Sequence, residues 1–579
     1  MTHDRYGSDL VVDTLTELGI EYAAVNPGAS FRGLHESLVS SGRPELILAL
    51  HENVAVAAAH GYAKSAGRPM AVVLHNLVGL QSGSMSIFNA WADQAPVLVL
   101  GGSGPVDATR RRPWIDWVHT AHAQSLVVRD SVKWDDQPAS LAAVPASLRR
   151  AHRIATTVPY GPTYVALDAG LQEEPLGPST PASPGLGPLA ARPSMAAPQD
   201  VLDEVADLLV RAERPVILAD YVGKSAAAYA ALAELAEALA APVVDLMARH
   251  NFPTGHWADA TDAHHELLAD ADVVLCLDLR DLMFGLGRSD AVHHGYESLV
   301  RPSATVVSIS TNQLMLKGFL DYAGTDHPAA ADAMVDVLAD TALCLPVLAG
   351  MVAERAGDRS ARRRALTAFT ADLHERSHRR FTEAADQGLT SAALSRAVRD
   401  VVSDGPWELA NGQLRGDVRR GWPLDRFNAH LGRNVGAGLG YGMGVSVGAA
   451  LAHRGDDTMV VNLQPDGDLL YTPSGLWTAA RYRLPILTVM ANNRTYGQDR
   501  MHQTIMARTR ERAVENAGVG IDLDDPEVDF AMLARAQGVE SWGPVTDRDD
   551  LTEVLTAAAK VVRDERRPAL VDVVLPRQG

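Results

Sequence analysis

Short apolar runs that alternate with stretches of helical periodicity constrain the fold of this chain most strongly. Before residue 105 these runs lie in the segments EYAAVNPG, ELILALHEN, RPMAVVLHN and APVLVLGG, and helical patterns separate them. Strands of four to six residues between amphipathic helices predict a parallel sheet with helices on both faces. We therefore predict an α/β fold.

The same alternation occurs twice more along the 579 residues, which predicts three α/β domains of ordinary size. A stretch rich in Pro, Gly and Ser separates the first two and is typical of a linker. Charged helical sequence separates the second from the third. The predicted boundaries are 1–175 for the first domain, 176–198 for the linker, 199–350 for the central domain, 351–384 for the helical linker and 385–579 for the last domain.

The charge and composition of the chain limit which binding partners and which cellular compartment we expect. The formal net charge of −19 argues against nucleic acid or an anionic membrane as the main partner. The N-terminus lacks a signal-peptide pattern, and no apolar run reaches the roughly 18 residues of a membrane span. Cys276 and Cys344 both lie in apolar runs, which indicates buried free thiols. We expect a cytoplasmic protein without a membrane or nucleic-acid partner.

Polar residues follow two apolar strands of the last domain. Asp466 follows the strand TMVVNLQ within PDGD, and Asn493 follows the strand LPILTVM. Open α/β sheets bind ligands at the carboxyl ends of their strands. A carboxylate, an amide oxygen and a backbone carbonyl suit a hard cation such as Mg²⁺ that also holds phosphates. An ordinary turn at PDGD is the alternative.

A glycine-rich segment, GRNVGAGLGYGMGVSVGAAL, precedes these strands. Its glycines suit a backbone that something approaches closely, and a helix of small residues follows. A tight helix contact is the alternative explanation. The glycines do not fall in the register G-x-G-x-x-G, which argues against a dinucleotide-dependent dehydrogenase.

Together these motifs resemble the thiamine diphosphate-dependent enzymes, whose signature is Gly-Asp-Gly followed by Asn-Asn. The resemblance implies a Mg²⁺ ion held by Asp466, the Asn493 side chain and the Thr495 carbonyl, with Leu439 wedging the cofactor and the Ala437 carbonyl receiving its amino group. The chain departs from the signature at Pro465, which has no N–H to donate. The implied cofactor-binding residues are Asn26, Pro27, Gly28, Glu52, Ala437, Gly438, Leu439, Asp466, Gly467, Asp468, Asn493, Thr495, Tyr496 and Gly497.

Glu52 opens an Ala- and Val-rich helical segment in LILALHENVAVAAAHGYAKSAG. In the family a glutamate at this place hydrogen-bonds the aminopyrimidine ring of the cofactor, which a partner chain holds. The resemblance therefore implies a catalytic role for Glu52 and a homodimer or homotetramer with sites between chains. Read without the resemblance, Glu52 is a first-turn acid that complements a helix dipole.

The substrate pocket follows from a resemblance to the benzoylformate decarboxylases within the family. It implies proton transfer by His75, whose ordinary pKa suits both directions of transfer. His119 stands at a position that is apolar in those enzymes but is histidine in the pyruvate decarboxylases, and that second resemblance implies a place in the site for it. Ala29 stands where those enzymes have a serine that contacts the substrate carboxylate. Polar Gln498 and His502 replace apolar residues there, which favours a more polar substrate. The implied pocket comprises Ala29, Ser30, His75, His119, Gln498 and His502.

The sequence thus predicts a lyase dependent on thiamine diphosphate and Mg²⁺ that decarboxylates a 2-oxo acid, or cleaves a related ketol, and that also has carboligase activity. One alternative is a carboligase similar to acetolactate synthase, which could hold a flavin (FAD) in the central domain; nothing in residues 201–360 supports a flavin site. The other alternative is a catalytically silent homologue, for which Pro465 and Ala29 are the arguments.

Overall fold

We describe the protein from a computed structural model. The structure describes residues 5–177, 194–290, 292, 294–315, 333–412, 414 and 416–577. Most of the predicted Pro- and Gly-rich linker, residues 178–193, lies outside the described residues. Three parallel sheets flanked by helices follow one another along the chain, as the alternating pattern predicts.

The first sheet is entirely parallel, with the strand order β2-β1-β3-β4-β6-β5. Its chain order reverses between β1 and β3, and ligands bind at such a reversal in open α/β sheets. The strands are β1 Tyr22–Val25, β2 Glu45–Leu48, β3 Met70–Leu74, β4 Val97–Ser103, β5 Asp135–Asp136 and β6 Thr163–Asp168. The helices are α1 Gly7–Glu17, α2 Arg32–Ser41, α3 Glu52–Ala66, α4 Val78–Ala92, α5 Ile115–Val118, α6 Val144–Ala155 and α7 Ala169–Gln172.

The second sheet has the order β13-β12-β9-β7-β8, and β10 and β11 form a separate antiparallel hairpin. Its strands are β7 Pro215–Ala219, β8 Val243–Asp245, β9 Val273–Leu277, β10 Gly287–Asp290, β11 Gly295–Ser298, β12 Thr305–Ser310 and β13 Ala333–Leu338. Its helices are α8 Gln199–Arg211, α9 Ala226–Leu239, α10 His264–Asp270, α11 Leu282–Leu286, α12 Thr341–Arg355 and α13 Ser360–Asp386. Helix α12 crosses the predicted boundary at residue 350, because its apolar face packs in the central core through Leu345 and Leu348.

The third sheet is again parallel, with the order β14-β15-β16-β18-β17. Strands β15 and β16 are neighbours, so residues that follow them meet at one edge of the sheet. The strands are β14 Trp407–Gly412, β15 Met459–Pro465, β16 Ile486–Asn492, β17 Glu540–Val545 and β18 Ala569–Val574. The helices are α14 Ser391–Val402, α15 Asp417–Gly421, α16 Gly442–Ala452, α17 Asp466–Tyr471, α18 Gly475–Arg481, α19 Gly497–Thr509, α20 Phe530–Ala536 and α21 Arg548–Glu565.

Helices α3 and α16 join the first and third sheets into one apolar core. Their small residues let the two backbones touch: a Cβ on Gly448 would lie 1.8 Å from the Ala58 carbonyl oxygen, and one on Gly61 would lie 2.0 Å from that of Val445. The glycine-rich segment therefore ends in a tight helix contact, which was the alternative explanation for its small residues. This contact fixes the first and third sheets relative to one another.

Within the described residues, no helix is both long enough and apolar enough to cross a membrane. Cys276 and Cys344 are buried free thiols, as the apolar runs around them predict.

Candidate active site

The turn after β15 and the turn after β16 bring Asp466 and Asn493 together. Pro465 pairs with Ala491 across the two strands, and α17 begins at Asp466. The Thr495 backbone nitrogen lies 3.2 Å from Asp466 Oδ2 and also 3.2 Å from Asn493 Oδ1. A carboxylate oxygen and an amide oxygen therefore converge on one N–H, at the strand edge where the sequence places them.

Asp466 is buried, and no basic side chain in the described part of the chain forms an ion pair with it. Burial raises the pKa of this carboxyl, and the backbone N–H groups of Gly467 and Thr495 only partly offset that effect. A hard cation between Asp466 and Asn493 would supply the missing positive charge, and both oxygens are ligands that Mg²⁺ accepts. The donor set thus fits a divalent cation.

A cavity of about 440 Å³ opens beside these ligands. Among the described residues that line it there are three aspartates and neither Lys nor Arg. A diphosphate would be repelled by such a wall unless a cation came with it. The lining residues are Thr390, Ser391, Leu414, Leu439, Pro465, Asp466, Gly467, Asp468, Ala491, Asn493, Thr495, Tyr496, Gly497, Gln498, Asp499, Leu575 and Pro576.

Pro465 fits its position without strain. Its φ of −66° is the value that the proline ring imposes, and its ψ of 146° suits the step from the strand into α17. A residue with negative φ at this place does not need the freedom of glycine. The exchange of the signature glycine for proline therefore leaves the backbone path to Asp466 intact.

The Asp468 carboxylate, at the cavity wall, bonds the backbone at the start of α16. Its Oδ1 accepts hydrogen bonds from the Gly440 and Tyr441 nitrogens at 2.8 and 3.2 Å, and its Oδ2 accepts from Gly442 N at 3.0 Å and Gln464 Nε2 at 2.7 Å. Three backbone N–H groups at a helix N-terminus are thereby satisfied by one carboxylate. Asp468 ties the turn after β15 to the glycine-rich loop that carries Leu439.

The glycine-rich loop is held from the first domain by Asn89 on α4. Asn89 Oδ1 accepts from Gly438 N at 3.0 Å, and its Nδ2 donates to the Gly438 carbonyl at 2.9 Å. Ala437 has the left-handed φ of 54°, and Leu439 lines the cavity. Leu439 therefore lines the same cavity as Asp466 and Asn493.

An antiparallel β-bridge between Thr495 and Asp522 fixes the segment after β16. Thr495 Oγ1 donates to Asp522 Oδ1 at 2.8 Å, and Tyr496 N donates to the Ile521 carbonyl. Asp522 in turn pairs with Arg500, and this contact holds the pKa of the Asp522 carboxyl below its usual range. The Tyr496 ring covers Gly467, where a Cβ would lie 2.4 Å from a ring carbon.

A second group of predicted residues gathers at the ends of β1, β2 and β3. Gly28 follows β1 and packs on His75 after β3; a Cβ on Gly28 would lie 2.7 Å from the imidazole. Asn26, Pro27 and Ala29 form the surrounding loop, and Ala29 is exposed. Glu52 begins α3, and its Oε1 would lie 3.1 Å from a Cβ on Gly79.

His75 connects Ser30 and His119. Its Nδ1 lies 2.8 Å from Ser30 Oγ, and its Nε2 lies 3.4 Å from His119 Nδ1. Burial lowers the pKa of His75, the neighbouring His119 lowers it further, and Glu52 raises it. The contact with His119 therefore adds to burial in keeping the pKa of His75 below its usual range.

The second group does not line the cavity beside Asp466. The described residues that line it all lie between 390 and 576, and Glu52, His75 and His119 are not among them. Gln498 lines the cavity and bonds His502 across one turn of α19 at 3.1 Å, while His502 is exposed.

Sequence reasoning missed several residues that shape these groups. Asn89 and Asp522 act through contacts with residues far away in the chain, and no local motif marks them. Leu414, Thr390 and Ser391 line the cavity from α14 and from the end of β14. Leu414 follows β14, a third strand of the same sheet. Its place at the carboxyl end of a strand was the sequence signal that could have predicted its position in the cavity wall.

Three consecutive parallel α/β domains with an acidic cavity at the β15–β16 edge are the architecture of the thiamine diphosphate-binding fold. Three family models match the chain: the N-terminal TPP binding domain of thiamine pyrophosphate enzymes over residues 5–127, their central domain over 202–318, and their C-terminal TPP binding domain over 410–573. The chain belongs to the thiamine pyrophosphate enzyme family; thiamine pyrophosphate is another name for thiamine diphosphate.

Its relatives include decarboxylases and acetolactate synthases. Benzoylformate decarboxylase of Pseudomonas aeruginosa is 28% identical over 537 residues, covering 91% of this chain and 91% of that protein. Acetolactate synthase 1 of Nicotiana tabacum is 24% identical over 603 residues, covering 99% of this chain and 82% of that protein. The structure of a thiamine diphosphate-dependent 4-hydroxybenzoylformate decarboxylase from Rhodococcus jostii RHA1 superimposes with a TM-score of 0.76 at 21% identity, covering 99% of this chain and 100% of that one.

Proposed function

We propose that this protein is a thiamine diphosphate- and Mg²⁺-dependent decarboxylase of a 2-oxo acid, with carboligase activity in the same site. The observation that carries the proposal is the convergence of Asp466 Oδ2 and Asn493 Oδ1 on the Thr495 nitrogen, in a cavity that has no Lys or Arg among its described lining residues. Asp466, Asn493 and the Thr495 carbonyl would hold the Mg²⁺ ion, and Leu439 would support the cofactor. When bound, thiamine diphosphate supplies an electron sink for the bond that breaks.

Glu52 is proposed as the carboxyl that hydrogen-bonds the pyrimidine end of the cofactor. It stands at the first turn of α3 and is closely covered by Gly79 and Gly83 of α4. Restricted solvation strengthens a carboxyl hydrogen bond, which favours proton sharing. Because Glu52 is not among the residues that line the cavity beside Asp466, we propose that a second copy of the chain completes each site, in a homodimer or a tetramer of dimers.

His75 and His119 are proposed to move protons at the substrate. His75 Nε2 and His119 Nδ1 are 3.4 Å apart, so a proton can pass along the contact between the two rings. Gln498 at the cavity wall, and His502 bonded to it, favour a substrate more polar than one with a bare aromatic ring. The substrate class is therefore a polar 2-oxo acid or a related ketol.

The experiment that tests this function is a panel of 2-oxo acids, each incubated with thiamine diphosphate and Mg²⁺, with and without an aldehyde acceptor. CO₂ release without an acceptor supports the decarboxylase, and a new C–C bond with an acceptor supports the carboligase. Matched reactions with Glu52→Gln identify background release. A protein that binds the cofactor and turns over no 2-oxo acid or ketol would contradict the proposal.

The second candidate is a carboligase similar to acetolactate synthase, which the relative from Nicotiana tabacum favours. It predicts that two molecules of a 2-oxo acid join, so that the CO₂ released and the ligated product appear in equal amounts without added aldehyde. A purified protein with flavin absorbance would favour this candidate.

A further inference from the structure

The Ser30 hydroxyl is confined between His75 and the backbone after β3. Ser30 is only 2% exposed. Its Oγ lies 2.8 Å from His75 Nδ1 and accepts a hydrogen bond from Asn76 N at 3.0 Å. Ser30 Oγ also packs closely on Gly102, because a Cβ on that glycine would lie only 2.2 Å from it. The hydroxyl therefore has a fixed position and few directions for its hydrogen.

The donor and acceptor roles follow from this confinement. A serine hydroxyl has one hydrogen to donate, and a neutral imidazole has one N–H and one bare nitrogen. Asn76 N–H already occupies a lone pair of Ser30 Oγ. Among the described residues the hydroxyl makes hydrogen bonds only with Asn76 and His75, so His75 Nδ1 is the acceptor that can satisfy its hydrogen. Leaving that hydrogen unbonded inside the protein would cost free energy.

The same reasoning continues to the second histidine. With Nδ1 as an acceptor, neutral His75 carries its hydrogen on Nε2, which faces His119 Nδ1 at 3.4 Å. His119 Nδ1 is then an acceptor as well, so neutral His119 carries its hydrogen on Nε2. One serine hydroxyl thereby sets the tautomers of both rings.

We propose that Ser30 is a positioning residue that fixes the tautomers of His75 and His119, so that neutral His119 offers an Nε2–H donor rather than a bare nitrogen. This inference rests on the proposed role of the two histidines in proton transfer. It differs from the expectation that Ser30 contacts substrate, because its hydroxyl is already engaged by Asn76 and His75.

The test is ¹⁵N NMR of the full-length protein labelled at histidine, with His75→Gln used to assign the His75 signals. In the unaltered protein above the pKa of His75, we expect the chemical shift of an unprotonated nitrogen at Nδ1 and of a protonated one at Nε2. Ser30→Ala should give a mixture of both tautomers. The matched control is Ser37→Ala, which removes a buried hydroxyl bonded to Ser8 and Asp9 of the same domain and should leave the His75 signals unchanged.

Measurements of kcat and KM distinguish a failure of this inference from a failure of the proposed function. On an accepted 2-oxo acid, Ser30→Ala should lower kcat about tenfold with little change in KM, and should alter the pH profile of kcat. A protonated Nδ1 in the unaltered protein, an unchanged tautomer in Ser30→Ala, or an unchanged kcat despite a changed tautomer would overturn the inference. Full activity of His75→Gln would instead contradict the proposed role of His75, whatever the tautomer proves to be.

Discussion

Asp466 Oδ2 and Asn493 Oδ1 lie on either side of one backbone N–H, that of Thr495, each 3.2 Å from its nitrogen. The relationship results from topology: β15 and β16 are parallel neighbours, and each of these residues follows the end of its strand. It gives the acidic cavity two neighbouring oxygen acceptors, and its described lining residues include no Lys or Arg.

Replacing Glu52 with Gln should abolish turnover without preventing cofactor binding. The amide keeps the shape of the side chain at the first turn of α3 but cannot share a proton. General acid–base groups contribute about a hundredfold to ten-thousandfold to rate, so kcat should fall by at least about a hundredfold. The measurement is CO₂ release on an accepted substrate, with calorimetry of cofactor binding as the control; full turnover would show that Glu52 is only a helix-terminal acid.

Replacing Asp468 with Asn should weaken both the fold and the cofactor site. The amide can accept at one atom only, so some of the four donors around Asp468 lose their partner. Losing helix caps costs about 1 kcal/mol, and we expect a lower denaturant midpoint together with weaker cofactor binding. Asp547→Asn, which alters the cap of remote helix α21, is the matched control. If both variants lose the same stability and neither loses cofactor affinity, Asp468 has no role beyond capping.

Replacing Pro465 with Gly should lower stability slightly and leave cofactor affinity nearly unchanged. Proline already has its preferred φ here, so its benefit is the restriction of the unfolded chain, worth about 0.4–1 kcal/mol. Denaturant unfolding measures the first effect, and calorimetric titration with thiamine diphosphate and Mg²⁺ measures the second. Much tighter binding by the glycine variant would show instead that the missing N–H of Pro465 weakens the site.

His453 should make stability depend on pH in the alkaline range. Burial alone lowers its pKa, but hydrogen bonds to Glu408 and Asp456 outweigh burial and raise the pKa from 6.5 to about 9. A raised pKa means that the folded protein holds the proton more tightly than the unfolded chain does. The stabilisation is therefore complete below pH 6.5 and is lost as the pH rises through about 9.

The measurement is the free energy of unfolding at several pH values across that range, for the unaltered protein and for His453→Gln. The difference between the two should be largest at the acidic end and should shrink toward the alkaline end. A difference that does not change with pH would contradict the pairing of His453 with Glu408 and Asp456.

The sequence could predict the α/β domains and the strand ends because both are local properties. Apolar runs of strand length mark β15 and β16, and the polar residues after them must lie at the same sheet edge in a parallel arrangement. It could not predict that Asp468 bonds the N-terminus of α16, because that contact depends on how two separate segments pack. Asn89, Asp522 and the contact of Ser30 with His75 depend on the packing of distant segments, which no periodicity encodes.

Isothermal titration of the protein with thiamine diphosphate, with and without Mg²⁺, tests the central claim most directly. Because Asp466 and Asn493 leave the cavity acidic, we predict binding in the presence of Mg²⁺ and none measurable after chelation. Asp466→Ala should remove the Mg²⁺-dependent binding, whereas Asp499→Ala, at the same cavity wall, should retain it. Equal binding with and without a divalent cation, or unimpaired binding by Asp466→Ala, would contradict the account.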